Sequence, residues 1–157
     1  MKKLLIILTA ILIISCKKDE GINQYVMDVQ FEFGIKDSEG NDLLNPQNTN
    51  SYLESNIKIF YLINGKVTEV KDSMKDYAKN FLIYKHEKNY RIRIFLNVGK
   101  DEEITTTYIQ WKDEDKDVIK SEIFRGKSIV RLQKVWLNDD PIWSSQDGKE
   151  SYIELTK

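Results

Sequence analysis

Three aspartates at alternate positions, Asp113, Asp115 and Asp117, form the pattern in this sequence that most resembles a metal site. Acidic oxygens at the first, third and fifth positions open a calcium-binding loop, because all of them can point inward at the cation. The rest of the segment departs from that pattern. Val118 stands where the sharp turn needs glycine, and Phe124 stands where a bidentate glutamate belongs. We therefore expect no metal site and a solvated loop here, with these aspartates as the candidates if a metal binds.

Nucleophilic or zinc chemistry would have to use His86, the single histidine of the chain. A zinc site needs three or four converging ligands, which this chain does not supply in a usual set. The nearest approach to a nucleophile elbow, residues 126–130, ends in Val130 and lies between two predicted strands, whereas an elbow joins a strand to a helix. No glycine-rich phosphate loop is present. We therefore expect that the protein is not an enzyme, has no catalytic residues and binds no cofactor.

The N-terminus has the pattern of a secretory signal peptide. Lys2 and Lys3 precede an apolar run over residues 4–14, interrupted by Thr9, and Ser15 and Cys16 follow. A membrane-spanning helix needs about twenty apolar residues, so this run is too short to span. Residues 1–15 are predicted to be the signal peptide, and the apolar run is its signal helix. Cys16 is the only cysteine, which excludes a disulfide within the monomer.

The sequence Ile13-Ile14-Ser15-Cys16 resembles the lipobox of bacterial lipoproteins, in which an invariant cysteine follows an aliphatic, a variable and a small residue. The resemblance implies that Cys16 becomes the acylated N-terminus and that the partner of this end is the membrane. Several acyl chains anchor a protein stably, whereas one chain binds only marginally.

The charged residues after Cys16 resemble the surface-export tag of lipoproteins in the Bacteroidetes group. Lys17 is followed by Lys18, Asp19 and Glu20. The resemblance implies an outer-membrane lipoprotein that is exposed at the cell surface. The alternative is a plain solvated tether, which would leave the periplasmic face open as the location.

The tripeptide Asp72-Ser73-Met74 resembles the O-glycosylation site of proteins secreted by the same group. The resemblance makes Ser73 a candidate for glycosylation. Alternatively, Asp72 or Ser73 caps a short helix by accepting hydrogen bonds from its free amides.

Period-two alternation of apolar and polar residues dominates the chain after residue 25 and predicts β-strands. The alternating segments are residues 29–35, 57–63, 90–98, 105–111, 118–124, 129–137 and 152–155. Asn64-Gly65 predicts a tight hairpin, since both residues accept positive φ. Apolar residues at helical spacing over 72–80 predict one short helix. The fold class predicted is all-β, an antiparallel β-sandwich, with an immunoglobulin-like arrangement as the one that best suits this length.

We predict three regions: the signal peptide 1–15, the lipidated cysteine and tether 16–25, and one β-sandwich domain 26–157. The chain is 41% hydrophobic and 31% charged, which is ordinary for a globular domain. Removal of residues 1–15 leaves 22 basic and 25 acidic residues. This balance provides no basic footprint for nucleic acid, so we expect no nucleic-acid partner.

Large aromatic residues belong by default to the core of an all-β domain, and we expect this of Trp111, Trp136 and Trp143. Trp136 is predicted to share its face of the strand with Leu132 and Lys134. The alternative is a flat aromatic surface on which sugar rings stack.

These observations predict a non-enzymatic binding or assembly module at the cell envelope, whose partner is a glycan or an envelope protein. The alternatives are a small envelope hydrolase that uses paired carboxylates, and a purely structural lipoprotein. The sequence leaves the oligomeric state open.

Overall fold

The computed structural model describes residues 25–74 and 76–157. The predicted signal peptide, Cys16, and the tag residues Lys18, Asp19 and Glu20 lie outside the described residues. The strands are β1 Val26–Asp28, β2 Gln30–Lys36, β3 Lys58–Ile63, β4 Lys66–Glu69, β5 Phe81–His86, β6 Asn89–Phe95, β7 Ile104–Lys112, β8 Asp115–Arg125, β9 Ile129–Leu137, β10 Asp140–Ser144 and β11 Tyr152–Thr156. One 3₁₀ helix, Ser145–Asp147, follows β10. Within the described ranges, no helix is both long enough and apolar enough to cross a membrane.

The strands form two sheets, and the all-β sandwich is confirmed. The large sheet has seven strands in the order β1-β9-β8-β7-β3-β4, with β10 also paired to β9. The small sheet has four strands in the order β11-β2-β6-β5. An immunoglobulin-like sandwich, which the sequence suggested, has sheets of four and three strands, or of four and five. The sheets of seven and four strands found here differ from that division.

Both sheets are mixed, whereas the sequence predicted antiparallel pairing throughout. β1 pairs parallel with β9, and β11 pairs parallel with β2. The other strand pairs are antiparallel, including the pairs joined by tight hairpins. β1 and β11 reach their partners through long connections, and such connections permit parallel pairing.

The core lies between the sheets and takes the inward residue of each alternating pair. Phe31, Phe33, Ile59, Ile109 and Trp111 are fully buried. Phe33 lies edge-on to Trp111 with ring centroids 6.3 Å apart. Trp111 is therefore a core residue, as the sequence predicted, and alternation alone placed these side chains on the inner face.

The predicted Asn64-Gly65 hairpin is present between β3 and β4. Asn64 has φ of 51° and Gly65 has φ of 76°. A second turn of the same kind joins β9 to β10, where Asn138 has φ of 51° and Asp139 has φ of 74°. Positive φ at both central residues gives a turn whose twist matches that of the flanking strands.

The helix predicted over residues 72–80 is wrong, because the described residues of this segment form turns. The Asp72 amide donates to the Ala78 carbonyl at 2.8 Å, a direction opposite to that of helical hydrogen bonds. Asn80 adopts a positive φ of 59°. The Asp72 carboxylate accepts from the Met74 amide at 3.1 Å, which closes an Asx turn in place of a helix cap.

A β-bulge in β9 overturns the predicted face of Trp136. Opposite β8, Glu122 pairs with Lys134 whereas Ile123 pairs with Leu132, so Gln133 is an extra residue. Leu132 is consequently buried in the core, while Lys134 and Trp136 point out of the other face. A bulge shifts the alternation by one residue, which a strict period of two cannot anticipate.

Candidate functional site

A cleft opens between the two sheets where β1 leads into β2 and where β6 ends. Its volume is about 530 Å³, within the range typical of ligand sites. We call it the apolar cleft, and its lining residues are Met27, Val29, Tyr61, Met74, Asp76, Tyr77, Asn80, Phe95, Leu96 and Val98. Both sheets and the loop over residues 71–80 contribute to it.

The rim of the apolar cleft places large apolar side chains in water. Met74 is 94% exposed, Met27 is 57% exposed and Tyr77 is 41% exposed. Scattered exposed apolar residues are ordinary, but several around one concave surface indicate an interaction site. Methionine is flexible and polarizable, so a methionine rim can adapt its shape to an apolar partner.

The back of the cleft is held rigid by a tyrosine and an asparagine. The Tyr61 hydroxyl donates to the Phe95 carbonyl at 2.6 Å and accepts from the Asn80 side-chain amide at 2.5 Å. Tyr77 stacks on Phe95 with ring centroids 5.5 Å apart. Burial raises the pKa of Tyr61 to about 12, against a smaller opposing effect of Asn80. Tyr61 is thus a neutral donor and not a base.

The sequence predicted no cleft here. The apolar residues at helical spacing over 72–80 include Met74 and Tyr77, and the structure brings both to the cleft without a helix. Met27, Tyr61 and Asn80 carried no local pattern, because they meet only when the sheets pack. Asn80 adopts a positive φ, which asparagine tolerates better than most residues. Its residue type was therefore the one sequence signal for a turn at this position.

Two of the three aspartates considered for calcium, Asp115 and Asp117, contact other side chains. Lys157 lies 2.8 Å from an Asp115 oxygen and 2.6 Å from an Asp117 oxygen. Trp111 Nε1 and the Asn138 amide each donate to Asp117 at 2.7 Å. Asp113 is exposed at the β7–β8 turn.

Lys157 is the cation that Asp115 and Asp117 contact in this arrangement. Burial is the largest influence on the Asp117 carboxyl and raises its pKa, but the hydrogen bonds from Lys157, Asn138 and Trp111 outweigh it, so the pKa is lowered. Among residues 25–74 and 76–157, no group of three or more His, Cys, Asp or Glu side chains is arranged to hold a metal.

A second buried carboxylate, Glu32, lies on the outer face of the small sheet. It accepts from Tyr84 at 2.8 Å, from Arg91 at 3.2 Å and from Arg93 at 2.7 Å. Burial alone raises the pKa of Glu32, but these three hydrogen bonds lower it below the ordinary value. Arg91 also stacks over Tyr152 at 3.9 Å. The network joins β2, β5, β6 and β11, which is a structural role.

Ser73 lies exposed in the turn beside Met74, at the rim of the apolar cleft. The structure leaves its glycosylation a prediction. The cap role offered as the alternative has no helix to serve here, because the segment forms turns.

No protein-family model, no curated protein and no solved structure matches this chain.

Proposed function

We propose that this protein is a lipid-anchored, non-enzymatic binding and assembly module of the bacterial outer membrane. Cys16 carries the anchor, and Lys18, Asp19 and Glu20 direct the domain to the cell surface. In this proposal the apolar cleft binds an apolar segment of an envelope protein. The lipobox-like residues support the address, and the exposed methionine rim of the cleft carries the binding role.

A protein segment suits this cleft better than an enclosed small molecule. The cleft is open at its rim, and its methionines can rearrange around a side chain of variable shape. The Asp76 carboxylate joins an otherwise largely apolar lining. It favours a partner with a basic residue next to its apolar anchor, because a carboxylate attracts a nearby cation.

The two alternative functions gain less support from the described residues. A glycosidase-type hydrolase needs a carboxyl group with a raised pKa as its acid. Instead, the environments of Glu32, Asp37, Glu102 and Asp117 each lower the pKa of the carboxyl group. A purely structural role does not require an open apolar cleft with exposed methionines.

The test has two steps, both with the full-length lipidated chain. A photo-crosslinking amino acid replaces Tyr77, or Leu53 in a control protein, in whole cells, and the crosslinked partner peptide is identified. That peptide is then synthesised, and its affinity is measured for the wild type, Met27→Gln, Met74→Gln and Leu53→Gln. Leu53 is the matched control, since it is 56% exposed and does not line the cleft.

We expect at least a tenfold weaker affinity for Met74→Gln and Met27→Gln, because glutamine keeps the length of methionine but not its apolar surface. Leu53→Gln should bind like the wild type. Equal crosslinking from positions 53 and 77, or a peptide that binds all four proteins equally, would refute a binding role for the cleft.

A further inference from the structure

The outer face of the large sheet carries an aromatic surface that the apolar cleft does not use. Strand register identifies its members, because residues directly opposite on neighbouring strands point to the same face. Phe60 is opposite Tyr108, and Tyr108 is opposite Val118. Ile59, Ile109 and Ile119 alternate with them and are fully buried in the core. We call this surface the aromatic face, and it also includes Leu62, Thr106 and Trp136.

The second row of the aromatic face lies two residues further along the strands. Thr106 is opposite Lys120, and Lys120 is opposite Trp136. Phe60, Tyr108 and Trp136 are each half-buried. With neighbouring strands about 4.8 Å apart, these residues span roughly 10–15 Å across the sheet.

Basic residues outnumber acidic ones among the strand residues of this face. The basic residues are Lys58, Lys116, Lys120, Arg131 and Lys134, and the acidic ones are Asp28, Glu69 and Glu122. The whole chain has a formal net charge of −1, so this face is positive on an acidic protein. Lys134 lies 3.2 Å from Glu122, and Lys120 pairs with Asp139 at the adjacent turn. Lys58, Lys116 and Arg131 are exposed.

A polar depression continues the aromatic face beyond Phe60 and Tyr108. Its volume is about 470 Å³, and its lining residues are Ser55, Asn56, Lys58, Gln110, Lys112 and Asp113. The side-chain amides of Asn56 and Gln110 each offer donors and an acceptor, which suits hydroxyl groups. Lysines beside them suit carboxylate or sulfate groups.

We propose that the aromatic face binds an acidic glycan. The rings pack against the C–H faces of the sugars, since aromatic faces carry partial negative charge. Lys58 and Lys116, which flank Gln110 in the same register row, pair with the acidic groups. Charge complementarity selects an acidic glycan over a neutral one. This site is separate from the apolar cleft and does not depend on the function proposed for it.

An anionic membrane is the main competing occupant of a basic and aromatic surface. A membrane favours apolar side chains that project into it, whereas Phe60, Tyr108 and Trp136 are half-buried in the sheet and adjoin the amide groups of the polar depression. Flat rings bordered by hydrogen-bonding amides fit a sugar better than a lipid.

The experiment is a binding titration of the full-length protein in detergent with acidic oligosaccharides of about six sugars. The panel contains oligogalacturonate, oligoalginate, hyaluronan and chondroitin sulfate. Methyl-esterified oligogalacturonate is the matched ligand control, because it keeps the sugar rings and removes the charge. Polyglutamate tests charge without sugar rings, and phosphatidylglycerol vesicles test the membrane.

The protein variants separate rings from charges. Trp136→Ala removes a ring, and Lys58→Gln and Lys116→Gln each remove a charge. Thr106→Glu adds a repelling charge without removing packing, which keeps the test valid if Trp136→Ala fails to fold. Lys85→Gln is the control, since Lys85 is exposed on β5 of the small sheet.

We expect at least one acidic oligosaccharide to bind, and its affinity should fall as the salt concentration rises, since salt screens exposed charges. Its methyl ester should bind at least tenfold more weakly. Affinity should fall about fivefold or more in Trp136→Ala, Thr106→Glu and each lysine variant, and should hold in Lys85→Gln and Met74→Gln. The proposal is overturned if no acidic oligosaccharide binds, if the methyl ester or polyglutamate binds equally well, or if only vesicles bind.

Discussion

Two buried acidic side chains join strands of this fold. Asp117 and Glu32 are each almost fully buried, and each is surrounded by donors. A buried carboxylate is tolerated only when hydrogen bonds and opposite charges replace the water it has lost. Both groups therefore tie strands together, and both should make the fold sensitive to acid.

Asp117→Asn should lower the free energy of unfolding at pH 7 by about 2–3 kcal/mol. One of the two carboxylate oxygens becomes an NH₂ group, which then faces a donor from Trp111 or Asn138, and Lys157 loses the negative charge of this partner. Urea denaturation of both proteins at several pH values measures the difference.

The difference should depend on pH in a defined direction. The pKa of Asp117 is lowered in the folded protein, so its contribution is complete above the unfolded value of about 3.9. It is lost as pH falls through the lower folded pKa. An Asp117→Asn deficit that is unchanged at low pH would show that the charge of this group does not stabilise the fold.

At the scale of elements, turns were predictable wherever a local residue pair dictates backbone geometry. Asn64-Gly65 forms the predicted hairpin because asparagine and glycine tolerate left-handed φ. The helix prediction for residues 72–80 was wrong because helical spacing does not outweigh an Asx turn and a hydrogen bond in the reverse direction. The bulge in β9 was not predicted because it arises from the pairing of β9 with β8.

Gly65→Ala should lower the free energy of unfolding by about 1 kcal/mol, because an L-residue with a Cβ is strained at φ of 76°. A Cβ at Gly65 would meet no atom within 4 Å, so crowding adds nothing. Equilibrium urea unfolding measures the change, and Thr68→Ala on the adjoining exposed strand is the control. A Gly65→Ala protein as stable as the wild type would mean that the turn can change its type freely.

At the scale of the whole molecule, the proposed anchor and the apolar cleft are close in the chain. Nine residues separate Cys16 from Val26, and Met27 lines the cleft. Even fully extended, that length reaches about 35 Å. A lipidated Cys16 would therefore keep the cleft near the membrane, where segments of envelope proteins emerge.

Protease shaving of intact cells tests the predicted address. The wild-type protein should be removed from the surface, and Cys16→Ala should be unprocessed or released in soluble form, because it lacks the acylated sulfur. Substitution of Lys18, Asp19 and Glu20 by alanine should keep the lipid anchor intact and reduce the fraction of the protein that protease removes from intact cells. Protection of the wild type in intact cells, with cleavage only after lysis, would contradict surface exposure and favour the periplasmic face.

The sequence by itself determined the fold class, most strands and the tight hairpin. Each of these follows from local chemistry: alternation puts Phe31 and Phe33 in the core, and Asn64-Gly65 turns the chain. It placed Met74 and Tyr77 in a helix that does not form, and it predicted no role for them in a cleft. The N-terminal address stays a prediction from residues 1–20.

Only the tertiary structure decided the parallel pairing of β1 and β11, the outward face of Trp136 and the existence of the apolar cleft. Met27 and Tyr61 come from strands far apart in the large sheet, and Phe95 comes from the small sheet. Register and sheet packing are contacts between distant residues, so a period-two pattern within one strand carries no information about which strands meet or where a bulge shifts a side chain from the core to the surface.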